Sequence, residues 1–169
     1  NVNINGGENA REVAQRFNLV TGQTGVTASV TTKAKIVSID SSDHFTFTLQ
    51  GKDNNASVVN ATVDDNKNLT SLKDSINSVS SNTGIVAELT NNNSSIILTQ
   101  VEGYNIVIGD LSSSSSNMVI DAMKKGNSGI FEDNNNIVNL EGGSNSNDSA
   151  AILGQVTLSS SKAFSLKSG

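Results

Sequence analysis

Apolar residues along this chain follow two different periods. Ala10, Val13, Ala14 and Phe17 fall at i, i+3, i+4 and i+7, and Val20 continues the stripe. Leu69, Leu72, Ile76 and Val79 fall at i, i+3, i+7 and i+10. Each set lines one face of a helix of about three turns, so two amphipathic helices are predicted. Asn68 stands where an N-cap of the second would be. Gly25 and Gly84 follow the two stripes by a few residues, where a chain leaving a helix can turn left-handed.

The remaining apolar residues alternate. TASVTTKAKIVSI is apolar at Ala28, Val30, Ala34, Ile36 and Ile39, with one change of phase. HFTFTLQG places Phe45, Phe47 and Leu49 on one face, and ASVVNATV does the same with Val59, Ala61 and Val63. GIVAELT, SSIILTQ and YNIVIGD follow the second helix, and NNIVNLEGG, GQVTLSSS and KAFSLKSG come near the end. Residues 118–126, MVIDAMKKG, fit a strand or a short helix and are read as strand. Period 2 with Ser and Thr on the alternate face is the pattern of half-buried antiparallel strands. The predicted class is α+β: an antiparallel, β-rich, elongated unit with two amphipathic helices, each packed on a small sheet.

The two helix regions are also the same word. A shift of 59 positions lays Phe17 on Ile76, Asn18 on Asn77, and Val20 on Val79. It also lays Thr24-Gly25-Val26 on Thr83-Gly84-Ile85 and Ala28 on Ala87, without a gap. Phe17, Val20, Ile76 and Val79 are apolar and periodic, so they are expected in the core, and Asn18 and Asn77 are expected to bond local backbone near the helix end. Two copies are too few for a solenoid. They divide the chain into a first, inner subdomain of residues 1–42 with 150–169 and a second of 43–149.

Composition narrows the function classes. Hydrophobic residues make up 35% of the chain, and Asn, Ser and Thr fill 63 of 169 positions. Such content approaches that of disordered chains, but the periodicity above argues for a thin core under a wet surface. The net charge is -5 and no basic cluster exceeds Lys124-Lys125, which disfavours nucleic acid and anionic membranes as partners. No apolar run approaches the ~20 residues of a membrane span. The opening NVNINGGENA has neither a charged start nor an apolar stretch, so no signal peptide is expected. There is no Cys, which removes disulfides and thiolate metal sites, and no Pro, which removes slow X-Pro isomerisation from folding.

The repeated word resembles a known motif. Ile76-Asn77, Thr83-Gly84-Ile85, Ala87, SSIILTQ and Gly103-Tyr104-Asn105-Ile106 are similar, in order, to the IN motif of bacterial flagellin. Phe17-Asn18 and Thr24-Gly25-Val26-Thr27-Ala28 are similar to its helix-to-strand step. The closing GQVTLSSSKAFSLKSG resembles the return to the conserved helical part, and the order of the pieces is similar to pseudomonad-type flagellins. The resemblance implies the central, surface-exposed, variable region of a filament subunit. It implies a structural protein of motility with an antigenic surface, extracellular and exported unfolded without a cleaved signal peptide. Its partners would be neighbouring subunits, met through long heptad-rich helices that have no counterpart in this sequence. The fragment itself is expected to be a soluble monomer that does not form filaments. A filament-cap or hook-associated protein is the nearest alternative, since the motif occurs there too. A secreted carbohydrate-binding or adhesive module is the alternative from another class; one Tyr, five Phe and no Trp give it little aromatic surface.

Reactive chemistry finds little footing, and neither an enzyme nor a cofactor is expected. His44 is the single histidine, and its neighbour Asp43 would point to the opposite strand face. H-E-x-x-H and G-x-S-x-G are absent. DDNKN (64–68) and EDNNN (132–136) space oxygen ligands as a calcium loop does, but DDNKN lacks the central Gly and closing Glu and both read as polar turns. The run Ser112, Ser113, Ser114, Ser115, Ser116 reads as a linker, with O-linked glycan acceptance as the functional alternative.

Overall fold

The computed structural model describes residues 2–52, 55–90, 92–143 and 146–166. Helix α1 (Ala10–Leu19) and the short α2 (Thr21–Thr24) lead into the long β1 (Val26–Ile39), followed by β2 (Asp43–Gln50) and β3 (Ala56–Val63). Helix α3 (Thr70–Ser78) and the short α4 (Ser80–Thr83) precede β4 (Ile85–Leu89), β5 (Ile96–Gln100), β6 (Ile106–Ser112) and β7 (Asn117–Ala122). Five short strands follow: β8 (Lys124–Lys125), β9 (Phe131–Glu132), β10 (Ile137–Glu141), β11 (Ala150–Ile152) and β12 (Gln155–Ser160). Among the described residues strand far outweighs helix, which makes the class α+β and β-rich.

All strand pairs are antiparallel. One sheet runs β10-β7-β1-β5-β4, with β12 added to the first half of β1, and another runs β11-β6-β2-β3. Strand β1 joins two settings: residues 26–31 pair with β12, and residues 32–39 pair with β5 and β7. Its change of hydrophobic phase has a structural cause, because the register against β7 slips between Ile36 and Ser38. Such a bulge turns the following residue, Ile39, back to the buried face. A second slip lies between Thr46 and Thr48 opposite Asp110, which takes a left-handed φ of 53° there.

One contiguous core joins both large sheets and α3. Ile36, Ile96 and Leu98 meet Phe45, Phe47, Leu49 and Val59, and Leu69, Leu72 and Ile76 enter from α3. That helix packs on β3 and β4, the end strands of the two sheets, and so closes the gap between them. Helix α1 instead packs on β1 and β12, and none of its residues belongs to this core.

Three local expectations are corrected. The N-cap position of α3 is Leu69, with no side-chain cap; Asn68 stands one residue earlier, where its Oδ1 accepts from the Thr70 N–H and hydroxyl. KAFSLKSG does not continue as strand over its described part: β12 ends at Ser160, opposite Val26, where its partner β1 begins. Phe17, Val20 and Val79 are half-buried rather than core: Val79 packs against the core from its margin, whereas α1, resting on the two-stranded ribbon of β1 and β12, lies outside that core altogether. The 118–126 segment is strand, as β7 and β8.

Candidate functional site

The repeated word folds twice into one hydrogen-bonded device. Val20 N–H donates to Phe17 O at 3.2 Å, and Val79 N–H donates to Ile76 O at 3.2 Å. Thr24 Oγ1 donates to Val20 O at 3.0 Å and accepts from Val26 N–H at 3.2 Å; Thr83 Oγ1 does the same with Val79 O and Ile85 N–H at 3.1 and 3.2 Å. Gly25 and Gly84 sit at φ 69° and 67°, and their N–H groups close the turn on Thr21 O and Ser80 O. A left-handed φ strains any residue with a Cβ, so glycine recurs. Threonine recurs because one hydroxyl can serve as donor and acceptor at the helix exit.

The asparagines bond farther away than the helix end. Asn18 Nδ2 donates to Ala28 O at 2.9 Å while its Oδ1 accepts from Ala28 N–H at 2.8 Å. Asn77 repeats both bonds with Ala87, at 2.9 and 2.8 Å. A side-chain amide carries the same donor and acceptor as a peptide unit, so each asparagine stands in for a neighbouring strand. Strand β4 is the end of its sheet. Its free edge is therefore blocked at Ala87, which guards against pairing with another chain. Asn77→Ala leaves the Ala87 donor and acceptor part-buried without partners and is expected to cost about 1–3 kcal/mol. Asn77→Asp keeps the acceptor, loses the donor, and sets a charge against a carbonyl, so it should be no better. Urea unfolding midpoints check both.

The second half of the motif is a tight turn. Gln100 lies in phase with Ile96 and Leu98 and is fully buried, and its Oε1 accepts from Glu102 N–H and Tyr104 N–H. Gly103 takes φ 79° with its Cα facing Val30. Thr32 Oγ1 donates to Tyr104 O at 2.6 Å, which ties the turn to the middle of β1. Asn105 lies beside a groove near the start of α1, and its Oδ1 is buried without a partner.

Of the five serines, Ser112, Ser114 and Ser115 are exposed. Ser113 Oγ donates to Ser116 O and accepts from Ser116 N–H. Ser116 is fully buried, and its hydroxyl bonds the backbone of Ser41 in both senses. The run is thus an anchored turn rather than a loose linker. Asp43 fastens it: the backbone N–H of Ser115 and that of His44 bond its carboxylate and hold its pKa below the usual range. A depressed folded-state pKa contributes stability above the unfolded value near ~4, and that contribution is lost as pH falls through the folded value. Asp43→Asn should therefore make the fall in stability below about pH 4 shallower, as read from urea midpoints across the acid range.

At Glu8, burial raises the carboxyl pKa, but hydrogen bonds from Arg16 and Asn5 outweigh it and the net shift is downward. His44 Nδ1 lies 3.0 Å from Thr62 Oγ1 on an exposed strand face. The 64–68 turn is internally bonded, with Asp65 accepting from Lys67 N–H and Asn66 Nδ2 donating to Asp40 O. In the 132–136 segment, the backbone N–H groups of Asn134, Asn135 and Asn136 converge on Asp121, which is 2% exposed. The chain's own carboxylate fills that nest. Among the described residues, no three His, Cys, Asp or Glu side chains are grouped to hold a metal.

Sequence reasoning missed the two buried polar organisers. Gln100 left a signal, since it occupies the inward phase of its strand. Asp121 left none, because its burial comes from a loop that crosses the outer face of β7.

A comparison with protein families matches residues 44–102 to the flagellin hook IN motif. That span runs from β2 to just past β5 and contains the second copy of the device. A comparison with curated proteins finds no match to the chain.

Proposed function

We propose, from the premise that residues 44–102 are a flagellin IN motif, that this chain forms outer domains of a flagellar filament subunit, exposed on the filament surface. The motif itself supports a flagellin-family structural role in the filament. The observation that carries the finer reading is the twice-built clamp, which spends its polar side chains on the chain's own backbone. A module of this kind holds its shape and offers little to a substrate.

In this reading the chain covers the filament core and presents an acidic, Asn- and Ser-rich face to the medium. Neighbouring subunits meet through other parts of the polypeptide. The inner subdomain comprises residues 1–42 with 150–169 and the second 43–149, with β1 passing from one toward the other. Export proceeds without a cleaved signal peptide, and any O-linked sugar sits on Ser112, Ser114 or Ser115, the exposed members of the run. The adhesive alternative gains no support: Tyr104 is engaged with Arg11, 4.8 Å from its ring centre, and Phe45 and Phe47 are buried.

Antibodies raised against the folded chain test the proposal on intact flagella by immunogold microscopy. Decoration along the whole filament is expected. Decoration confined to the tip or the hook junction would assign the chain to a cap or hook-associated protein instead, and decoration of dissociated subunits alone would overturn surface exposure.

A further inference from the structure

The two copies of the device are equal in hydrogen bonds and unequal in cover. Leu72 and Ile76 are 0% exposed, whereas Val13 and Phe17, their counterparts 59 positions earlier, are half-buried. The sheets repeat the contrast. Leu98 and Ile96 pair with Ala87 and Leu89 and are 0% exposed, whereas Leu158 and Val156 pair with the matching Ala28 and Val30 and are half-buried.

The second copy shows what the first lacks. There α3 packs on β3 as well as β4, and Ser71 Oγ donates to Thr62 O of β3 at 2.6 Å. The same shift carries Asn60, Ala61, Val63 and Asn68 onto Asn1, Val2, Ile4 and Asn9. Ala61 and Val63 are buried on the inner face of β3, but Val2–Asn5 forms no strand and Ile4 is 51% exposed. At the start of α1 an open groove of about 400 Å³ is lined by Asn9, Ala10, Val13, Asn105, Leu153 and Val156. At this groove Glu8 Oε2 and Asn105 Oδ1 are buried without hydrogen-bond partners. Both are acceptors, and the missing complement is a set of donors, which a strand backbone supplies.

We propose that the first unit is completed by an extended strand with the apolar alternation of β3, running into Val2 from its N-terminal side. It lies along α1, covers Val13 and Phe17, and offers N–H groups to the groove. The occupant is a β-strand of the same polypeptide, and the inference stands on the internal repeat independently of any flagellar role.

A graft tests it. The sequence of residues 43–59, joined directly before Asn1, rebuilds the second copy's hairpin in the register that the shift of 59 dictates. A control graft carries one extra residue at the junction, which sends the apolar face outward. Hydrogen exchange of the α1 amides is the readout, with α3 in the same molecule as reference. In the ungrafted chain α1 should exchange at least about tenfold faster than α3, and the in-register graft alone should close that gap. Equal protection of α1 and α3 in the ungrafted monomer would overturn the proposal without any graft. So would equal slowing by both grafts, no slowing by a folded in-register graft, or a dimer of the ungrafted chain that protects α1.

Discussion

Ile76→Ala is expected to lower the unfolding free energy by about 3–4 kcal/mol, while Phe17→Ala at the matching position lowers it by less than about 2 kcal/mol. The larger side chain thus gives the smaller loss. Ile76 is 0% exposed inside the core that joins both sheets, and its removal leaves a cavity that close-packed neighbours cannot fill. Phe17 is half-buried on a helix outside that core, so truncation returns surface to water and opens no closed void. Urea midpoints of the two variants decide the matter. Equal losses would show that the first copy is as well packed as the second.

Gly103→Ala is expected to cost about 2–5 kcal/mol from two separable sources. A Cβ at this position would lie 2.6 Å from the Cβ and Cγ2 of Val30, and the backbone holds φ 79°. Left-handed backbone costs an L-residue about 1–2 kcal/mol, and overpacking adds about 1–3. Val30→Ala would keep the Cβ that overlaps, so the added change is Val30→Gly, which removes the clash and leaves the backbone strain at residue 103. The double variant should therefore recover roughly half of the loss, beyond what Val30→Gly costs alone. No coupling between the sites would mean that this turn does not press on β1.

Much of this architecture was legible from periodicity. The 3.6-residue stripes mark α1 and α3, and period 2 marks the strands from β1 to β6, while the β7 segment fits strand or short helix. The phase change in 28–39 was the sequence trace of a bulge. The glycine exits at Gly25 and Gly84 were legible for a steric reason, since few other residues tolerate that φ. What periodicity could not supply was coverage. Val13 and Leu72 look alike on a helical wheel, but burial depends on which strands lie against the helix, and that is set by long-range pairing. The asparagine clamps were half legible. A repeated Asn at a helix end signals a backbone bond, but its partner ten residues on, Ala28 or Ala87, depends on how the return strand passes the helix. The serine run looks like a linker by composition, which does not show that Ser116 is buried against Ser41 or that Asp43 holds Ser115.

The proposed role, a filament-surface module whose stability lies within itself, meets its sharpest test in electron cryomicroscopy of filaments built from the subunit with and without residues 1–169. The shortened subunit should still polymerise with the same helical lattice and lose only outer density, in which the present fold fits. Failure of the shortened subunit to form filaments, or loss of density from the filament interior, would contradict it.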